Sequence, residues 1–291
     1  MIRYKAKSSN IAMDELLDFF AENGYAVVSG ALTAAEVAAI NDGIAADCAA
    51  HPEHWEPGLR PGHIAVGCDA PELLLGTEAL DGLVCHPSVM PLVRRILGVG
   101  VQMSGLSFMR REPCAVDPPA DIDGGDPLCL TRMWHREDRG TVEGADGNEY
   151  FVPALQVIYY LDDVDAESHC FSIIPESAAT KRALPTTAQA PLRIDDAATA
   201  YVDPEKPRWL DAFGRETPRR TGRVDIYAGA GAASVFNNAS YHAGTVRQTG
   251  RPRRTVHVRY RQPEPVASRH ALKEPWQCVA DFNAALPDRL K

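Results

Sequence analysis

The chain has 291 residues, of which 45% are hydrophobic and 24% charged, and its formal net charge is -9. That is the composition of a globular protein with enough chain to bury a core. The acidic balance excludes coating of nucleic acid or docking on an anionic membrane, both of which need a basic surface. No apolar segment follows the basic residues of the N-terminus, so no secretory signal is expected. No apolar run approaches the about 20 residues needed to cross a bilayer. Seven cysteines stand scattered and never in a C-x-x-C pair. This pattern fits reduced thiols in a cytoplasmic protein better than a disulfide frame or a zinc-thiolate site.

In chain order, "MDELLDFFAENG" carries apolar residues at helical spacing and ends on Gly24, which predicts a helix over 13–24 with a glycine stop. "YAVVSG" follows as a short strand. Thr33 and Glu36 have the spacing of a capping box and open an alanine-rich helix. "PSVMPLVRRILG" predicts another short amphipathic helix over 87–98. From about residue 100 the texture becomes β-branched and aromatic, in "VQMSGLSFMRR", "FVPALQVIYYLDDV", "HCFSIIPES", "GAASVFNNAS" and "RTVHVRYRQ". The expectation is one domain over 1–291 that is mainly β with flanking helices: an N-terminal helical layer (1–99), a double-stranded β-helix or cupin-like jelly roll (100–265) and a C-terminal helix (266–291). Residues 112–130, rich in Pro, Gly and Asp, and residues 180–222, with several prolines and little periodicity, are expected to be long loops, functional lids or mobile segments.

The chemistry concentrates in "TRMWHREDRG" and "NNASYHAG". His135 and Glu137, two apart, point the same way on a strand. His242, at a polar turn after an apolar strand, is a suitable distant third ligand. Two histidines and a carboxylate on one face of a metal leave three positions open, the facial arrangement of non-haem iron oxygenases. Asp138 competes with Glu137 for the carboxylate position, though it needs a turn rather than a strand.

Eleven residues after His242 stands Arg253, beyond the turn "GTVRQTGRP". Its planar fork suits the far carboxylate of a dicarboxylate whose other end chelates the metal. On the strand that follows, Arg253, Thr255, His257 and Arg259 share one face as a polar wall; Arg254, Val256, Val258 and Tyr260 share the packing face. Gln102, Met103 and Arg111 lie on the strand before the first long loop. Tyr159 and Tyr160 must face opposite sides, with one of them, Tyr160, assigned to the pocket.

These segments resemble the phytanoyl-CoA dioxygenase-like iron(II)/2-oxoglutarate oxygenases over most of the chain. "FFAENGYAVVSGALTAAEVAAINDGI" is similar to the family's opening helix–strand–helix, and "MWHRED" stands where the family has its His-x-Asp pair. "LQVIYYLDDVDAESHCFSIIPES" is similar to its central strand pair, with "PESA" in place of the usual Pro-Gly-Ser-His turn. "YHAGTVRQTGRPRRTVHVRY" carries the distal histidine and the 2-oxoglutarate arginine. Glu137 departs from the family's aspartate. A carboxylate at that position argues against a halogenase, which needs the place for chloride.

The resemblance implies Fe(II) held by His135, Glu137 and His242, 2-oxoglutarate as cosubstrate and O2 as oxidant. Arg253, Gln102 and Thr255 are assigned to the cosubstrate; Met103, Arg111, Tyr160 and His257 are assigned to the substrate wall. No further catalytic side chain is expected beyond the ligands. The reaction is oxidation, by default hydroxylation, of a small molecule in secondary metabolism. Two alternatives stay open: a redox-neutral metal-dependent isomerase or hydrolase, and a non-catalytic jelly-roll binding protein. The aspartate-rich "DPPADIDGGD" lacks the spacing of a calcium loop, and "YAGAGAAS" lacks the strand-to-helix context of a nucleotide loop.

Overall fold

The computed structural model describes residues 3–5, 10–52, 78–98, 101–115, 141–144, 147–150, 152, 154–175, 208–210, 216–218, 224–240, 242–245 and 247–261. Strand β1 (Arg3–Lys5) leads to helix α1 (Asn10–Asn23), strand β2 (Tyr25–Ser29) and helix α2 (Ala34–Ala50). A short 3-10 turn at Glu78–Leu80 opens α3 (Asp81–Val84), and α4 (Met90–Leu97) follows. The remaining strands are β3 (Gln102–Arg111), β4 (Thr141–Gly144), β5 (Gly147–Tyr150), β6 (Ala154–Tyr160), β7 (Cys170–Ile173), β8 (Arg208–Leu210), β9 (Glu216–Pro218), β10 (Val224–Ile226), β11 (Ala233–Asn237), β12 (His242–Thr245) and β13 (Arg253–Arg261).

Local chemistry explains the helix ends. Gly24 takes φ 75, and its N–H donates to Phe20 O at 2.7 Å, closing α1. Thr33 Oγ1 accepts from Glu36 N, while Glu36 Oε2 accepts from Thr33 N at 2.7 Å. This reciprocal cap starts α2. The same contacts, led by the Thr33 backbone N–H, hold the Glu36 carboxyl down to about 2.

Six strands form one sheet in the order β1-β2-β11-β6-β13-β3, and three form a second in the order β10-β7-β12. One face of the large sheet packs on the helices through Val28, Leu155, Val157, Tyr159, Val235, Val256, Val258 and Tyr260, together with Leu16, Phe20, Leu92 and Val93. Its other face shares a second apolar cluster with the small sheet: Tyr25, Ile158, Tyr160 and Phe236 meet Cys170, Phe171, Ile173 and Ile226. The strands of the large sheet are buried on both faces, which is why their sequences do not alternate cleanly. Tyr159 and Tyr160 divide between the two clusters.

Several expectations are corrected here. The N-terminal segment is more than an outer layer, because β2 extends the large sheet beside β11. Gly231 explains how: it takes φ 81, and a Cβ there would stand 2.5 Å from Leu32 O, so only glycine lets the two segments touch. The stretch 180–222 contains an antiparallel pair, β8 with β9, rather than loop alone. The expected C-terminal helix over 266–291 lies outside the described residues.

Candidate active site

The ladder of the large sheet arranges its small-sheet face in cross-strand rows. Arg253 pairs with Arg111. Thr255 stands between Tyr160 and Met109, and His257 between Ile158 and Ser107. Arg259 stands between Gln156 and Gly105, with Phe236 beyond Gln156 on β11. All these residues fall on the face that meets the small sheet, since Val256, Val258 and Tyr260 alternate with them into the helix-side core.

Arg253 is the most constrained member. It is 4% exposed, and its nearest polarisable partner is Met109 Sδ, 3.9 Å from Nη2. Among the described residues, Nε and Nη1 have no hydrogen-bond partner. Burial pushes the guanidinium's pKa down, with the neighbouring Tyr160 acting in the opposite sense. Burying an ion costs several kcal/mol unless a counter-charge offsets it. A second cation, Arg111, is its ladder partner and 3% exposed. Like charges on ladder partners repel, which adds to the cost of burying Arg253.

What fixes Arg253 is its neighbour. Asp162, just past β6, accepts from Arg254 N at 2.7 Å, Nε at 3.0 Å and Nη2 at 2.5 Å, so the strand start is held from behind. The turn before β13 is tied as well. Arg251 pairs with Asp165 at 2.6 Å, and Thr249 exchanges backbone hydrogen bonds with Cys114.

His242 opens β12 and is 5% exposed. Its Nδ1–H donates to Ser240 O at 2.9 Å, which leaves the basic lone pair on Nε2. An imidazole oriented in this way by a backbone carbonyl is prepared to ligate a metal through its other nitrogen. The ring packs against Phe236 at 4.7 Å and Phe171 at 5.7 Å between centroids. Two residues on, Gly244 passes beneath the Arg111 guanidinium. The small sheet therefore brings His242 over the polar face of the large one.

Between the two arginines and Gln156 runs a hydrogen-bonded line. Gln156 Nε2 donates to His257 Nδ1 at 2.7 Å, His257 Nε2–H donates to Thr255 Oγ1 at 3.0 Å, and Thr255 Oγ1 donates to Met109 O at 3.4 Å. Burial, then the charges of Arg253, Arg259 and Arg111, hold the His257 pKa down to about 3. The ring is neutral, as the line requires. The Tyr160 phenol bonds Ser234 Oγ at 3.2 Å, and burial pushes its pKa up to about 12.

Of the residues singled out in the sequence, the structure gathers Arg253, Arg111, Thr255, His257, Tyr160 and His242. His135, Glu137 and Asp138 lie outside the described residues, and among the described residues no trio of His, Cys, Asp or Glu could hold a metal. Gln102 is not brought to Arg253. It pairs with Arg261, at the far end of β13, because β3 and β13 are antiparallel. Met103 does not face the pocket: the register shift opposite Arg259/Tyr260 turns it into the helix-side core.

Sequence reasoning missed other residues of the site. His169 is buried and ties three segments together, donating from Nε2 to Glu112 O at 2.8 Å and accepting from Arg247 N at 3.0 Å. Arg247 is paired with Asp225, which also accepts from Ser172 at 2.6 Å. Gln156 carried no local signal beyond being polar in an apolar strand.

The two sheets thus enclose a buried arginine pair and a histidine whose Nδ1 is committed to a backbone carbonyl. The sequence profile of the family Phytanoyl-CoA dioxygenase (PhyH) matches residues 20–255, and the chain belongs to that family of non-haem iron, 2-oxoglutarate-dependent enzymes. No curated protein sequence matches it.

Among solved structures, the chain is similar to the epimerase SnoN in complex with Fe3+, alpha ketoglutarate and nogalamycin RO. The identity is 21%, over 87% of this chain and 85% of that one, with a TM-score of 0.59. It is similar to the alpha ketoglutarate dependent carbocyclase SnoK from nogalamycin biosynthesis at 18% identity, over 90% and 87% of the two chains, with a TM-score of 0.60. It is also similar to HygX from Streptomyces hygroscopicus with nickel, 2-oxoglutarate and hygromycin B bound, at 15% identity over 86% and 87% of the chains, with a TM-score of 0.52. At these identities the likeness is one of fold.

Proposed function

We propose that this protein is an iron(II)- and 2-oxoglutarate-dependent dioxygenase that oxidises a small organic molecule, by default through hydroxylation, converting 2-oxoglutarate and O2 to succinate and CO2. The observation that carries this reading is the Arg253 guanidinium, buried with two unpartnered donor atoms beside a second buried arginine. A carboxylate is the ligand that resolves it: charge-assisted bonds contribute about 1.5–3 kcal/mol each and offset the burial cost.

His242 and the buried Arg253 suit the metal and cosubstrate, and His135 and Glu137, outside the described residues, are assigned by the family resemblance. His242, with Nε2 prepared as a donor, together with His135 and Glu137, would hold iron(II). Arg253 and Thr255 would receive the far carboxylate of 2-oxoglutarate. When bound, iron and 2-oxoglutarate together activate O2 for attack on a C–H bond. The protein holds the diacid at one end, keeps His257 neutral and excludes water with the Phe171/Phe236 wall. The two facing sheets are read as the walls of a double-stranded β-helix. Secondary metabolism is the proposed setting, supported by similar folds that are described as acting in nogalamycin biosynthesis. A cytoplasmic location is proposed on the free thiols Cys48, Cys85, Cys114 and Cys170. Among the described residues no helix is long and apolar enough to cross a membrane.

The test is an anaerobic titration of metal-free protein with Fe(II) and 2-oxoglutarate, following the visible charge-transfer band of the chelate. The band should form in wild type, survive in Asp138→Ala and weaken in Glu137→Ala. Folded wild-type protein that gives no band with excess iron would remove the cosubstrate and return the redox-neutral alternative.

A further inference from the structure

His257 differs from the rest of the polar wall of β13 in that both of its ring nitrogens are used inside the protein. Nδ1 accepts from Gln156 Nε2 at 2.7 Å, and Nε2–H donates to Thr255 Oγ1 at 3.0 Å. The residue is buried, and these two bonds leave its ring no polar atom for a substrate.

The ends of this line fix its direction. As written, the group left over is Gln156 Oε1, a buried acceptor without a partner. Run the other way, Nδ1–H would donate to the amide oxygen and leave the amide NH2 as the buried orphan, which is the rarer kind. Reversal would also commit the only proton of Thr255 Oγ1 to the ring. Burial, then the charges of Arg253, Arg259 and Arg111, keep the ring neutral, with a pKa of about 3, so it has one proton to place and Nε2 carries it.

The consequence falls on Thr255. A hydroxyl has one proton to donate and accepts through its lone pairs. Because His257 Nε2–H donates to Oγ1, the Thr255 proton is turned away from the ring. Its acceptor is Met109 O at 3.4 Å, a long bond. Arg253 leans on the same residue: Nη2 reaches Met109 Sδ at 3.9 Å, while Nε and Nη1 have no partner. Two donors on one face of β13 thus rest on weak contacts to Met109, and a carboxylate is the better acceptor for both.

We propose that His257 is a positioning residue for 2-oxoglutarate: its Nε2–H holds the Thr255 hydroxyl as a donor toward the carboxylate at Arg253, and Gln156 holds the ring in the tautomer that does so. The line runs head to tail, so each bond polarises the next in the same sense. Without the imidazole donor the hydroxyl turns freely, and the carboxylate loses one oriented bond. This rests on the proposed function only in placing the far carboxylate of 2-oxoglutarate at Arg253 and Thr255.

The experiment is an anaerobic calorimetric titration of the full-length, Fe(II)-loaded protein with 2-oxoglutarate, with Fe(II) affinity and melting temperature measured alongside. His257→Phe should weaken 2-oxoglutarate about tenfold, the loss of one bond to a charged group, and leave Fe(II) affinity unchanged. His257→Gln, which puts an N–H donor near the place of Nε2, should recover most of that loss. Thr255→Val should weaken 2-oxoglutarate to a similar degree, and His257→Phe added to it should weaken binding no further, because the ring acts through the hydroxyl. Gln156→Leu leaves the ring in place and keeps the test open if His257→Phe does not fold; it should weaken 2-oxoglutarate about threefold, and only while Thr255 is present. Unchanged affinity in His257→Phe, or losses that simply add in the double variant, would overturn the proposal. Failure of the underlying reading looks different: Arg253→Met and Thr255→Val then bind 2-oxoglutarate as well as wild type does.

Discussion

Gly244 lies directly beneath the Arg111 guanidinium: a Cβ at that position would collide with Nη2 and stand 2.7 Å from Cζ. The glycine of the small sheet thus sets where the second cation of the large sheet rests, two residues from His242. Gly244→Ala pushes the guanidinium aside. Because the clash is with the end of a flexible side chain, the fold should survive, with a melting temperature lowered by a few degrees, about 1 kcal/mol. Affinity for 2-oxoglutarate, measured from the chelate band, should fall about tenfold. Unchanged affinity would separate Arg111 from the anion.

Removing Arg253 should have opposite effects in two states. Without 2-oxoglutarate, Arg253→Met replaces a buried, under-partnered cation by an apolar chain of similar length, and the protein should be as stable as wild type or more so. With saturating 2-oxoglutarate, wild type gains stability by mass action, about 2.7 kcal/mol at a hundred times the dissociation constant. The variant should gain almost none. Thermal melts with and without the diacid check both halves, and a variant that melts far below wild type in its absence contradicts the account of Arg253.

Asp162 holds the start of β13 through three bonds to Arg254. Arg254 is partly exposed, so most of the ion-pair energy is screened, and the capped backbone N–H carries more of the effect. Asp162→Ala should cost about 1–2 kcal/mol. It should also weaken 2-oxoglutarate several-fold without altering Fe(II) affinity, because it frees the residue next to Arg253 rather than any ligand. Urea melts and the two titrations separate these effects.

Two buried histidines set a pH dependence. Burial, its largest cause, lowers the His169 pKa to about 4, and burial likewise lowers that of His257 to about 3. In the unfolded chain both titrate near 6.5. Below about 6.5 the unfolded chain therefore binds protons that the folded one refuses. Stability is fully present above that pH and falls as pH drops toward 4, by about 1.4 kcal/mol per pH unit for each ring. Urea midpoints between about pH 4.5 and about pH 7.5 should show this slope. His169→Gln should make it shallower; an unchanged slope would mean that His169 titrates normally.

The alternation along "RRTVHVRYR" was legible in the sequence because a strand has a strict period of two. So was the division of Tyr159 from Tyr160. The capping box at Thr33 and the glycine stop at Gly24 were equally local. Met103 and Gln102 were misplaced for one reason: a register shift opposite Arg259/Tyr260 and an antiparallel ladder decide which face and which end each occupies. Neither is encoded within β3 alone.

The sequence by itself determined the helices of the N-terminal third, the two faces of β13 and the resemblance to the family, since the first two depend on capping and periodicity over a few residues and the last on quoted segments. Only the tertiary structure decided that Arg111 would stand opposite Arg253, that Gly244 would lie beneath the Arg111 guanidinium, that His169 would be a buried tie and that Gln156 would bond His257 across the sheet. Those relationships join residues up to 142 positions apart, Arg111 and Arg253 among them. They are set by sheet order and by which strands face each other, and long-range pairing leaves no local signature in the chain.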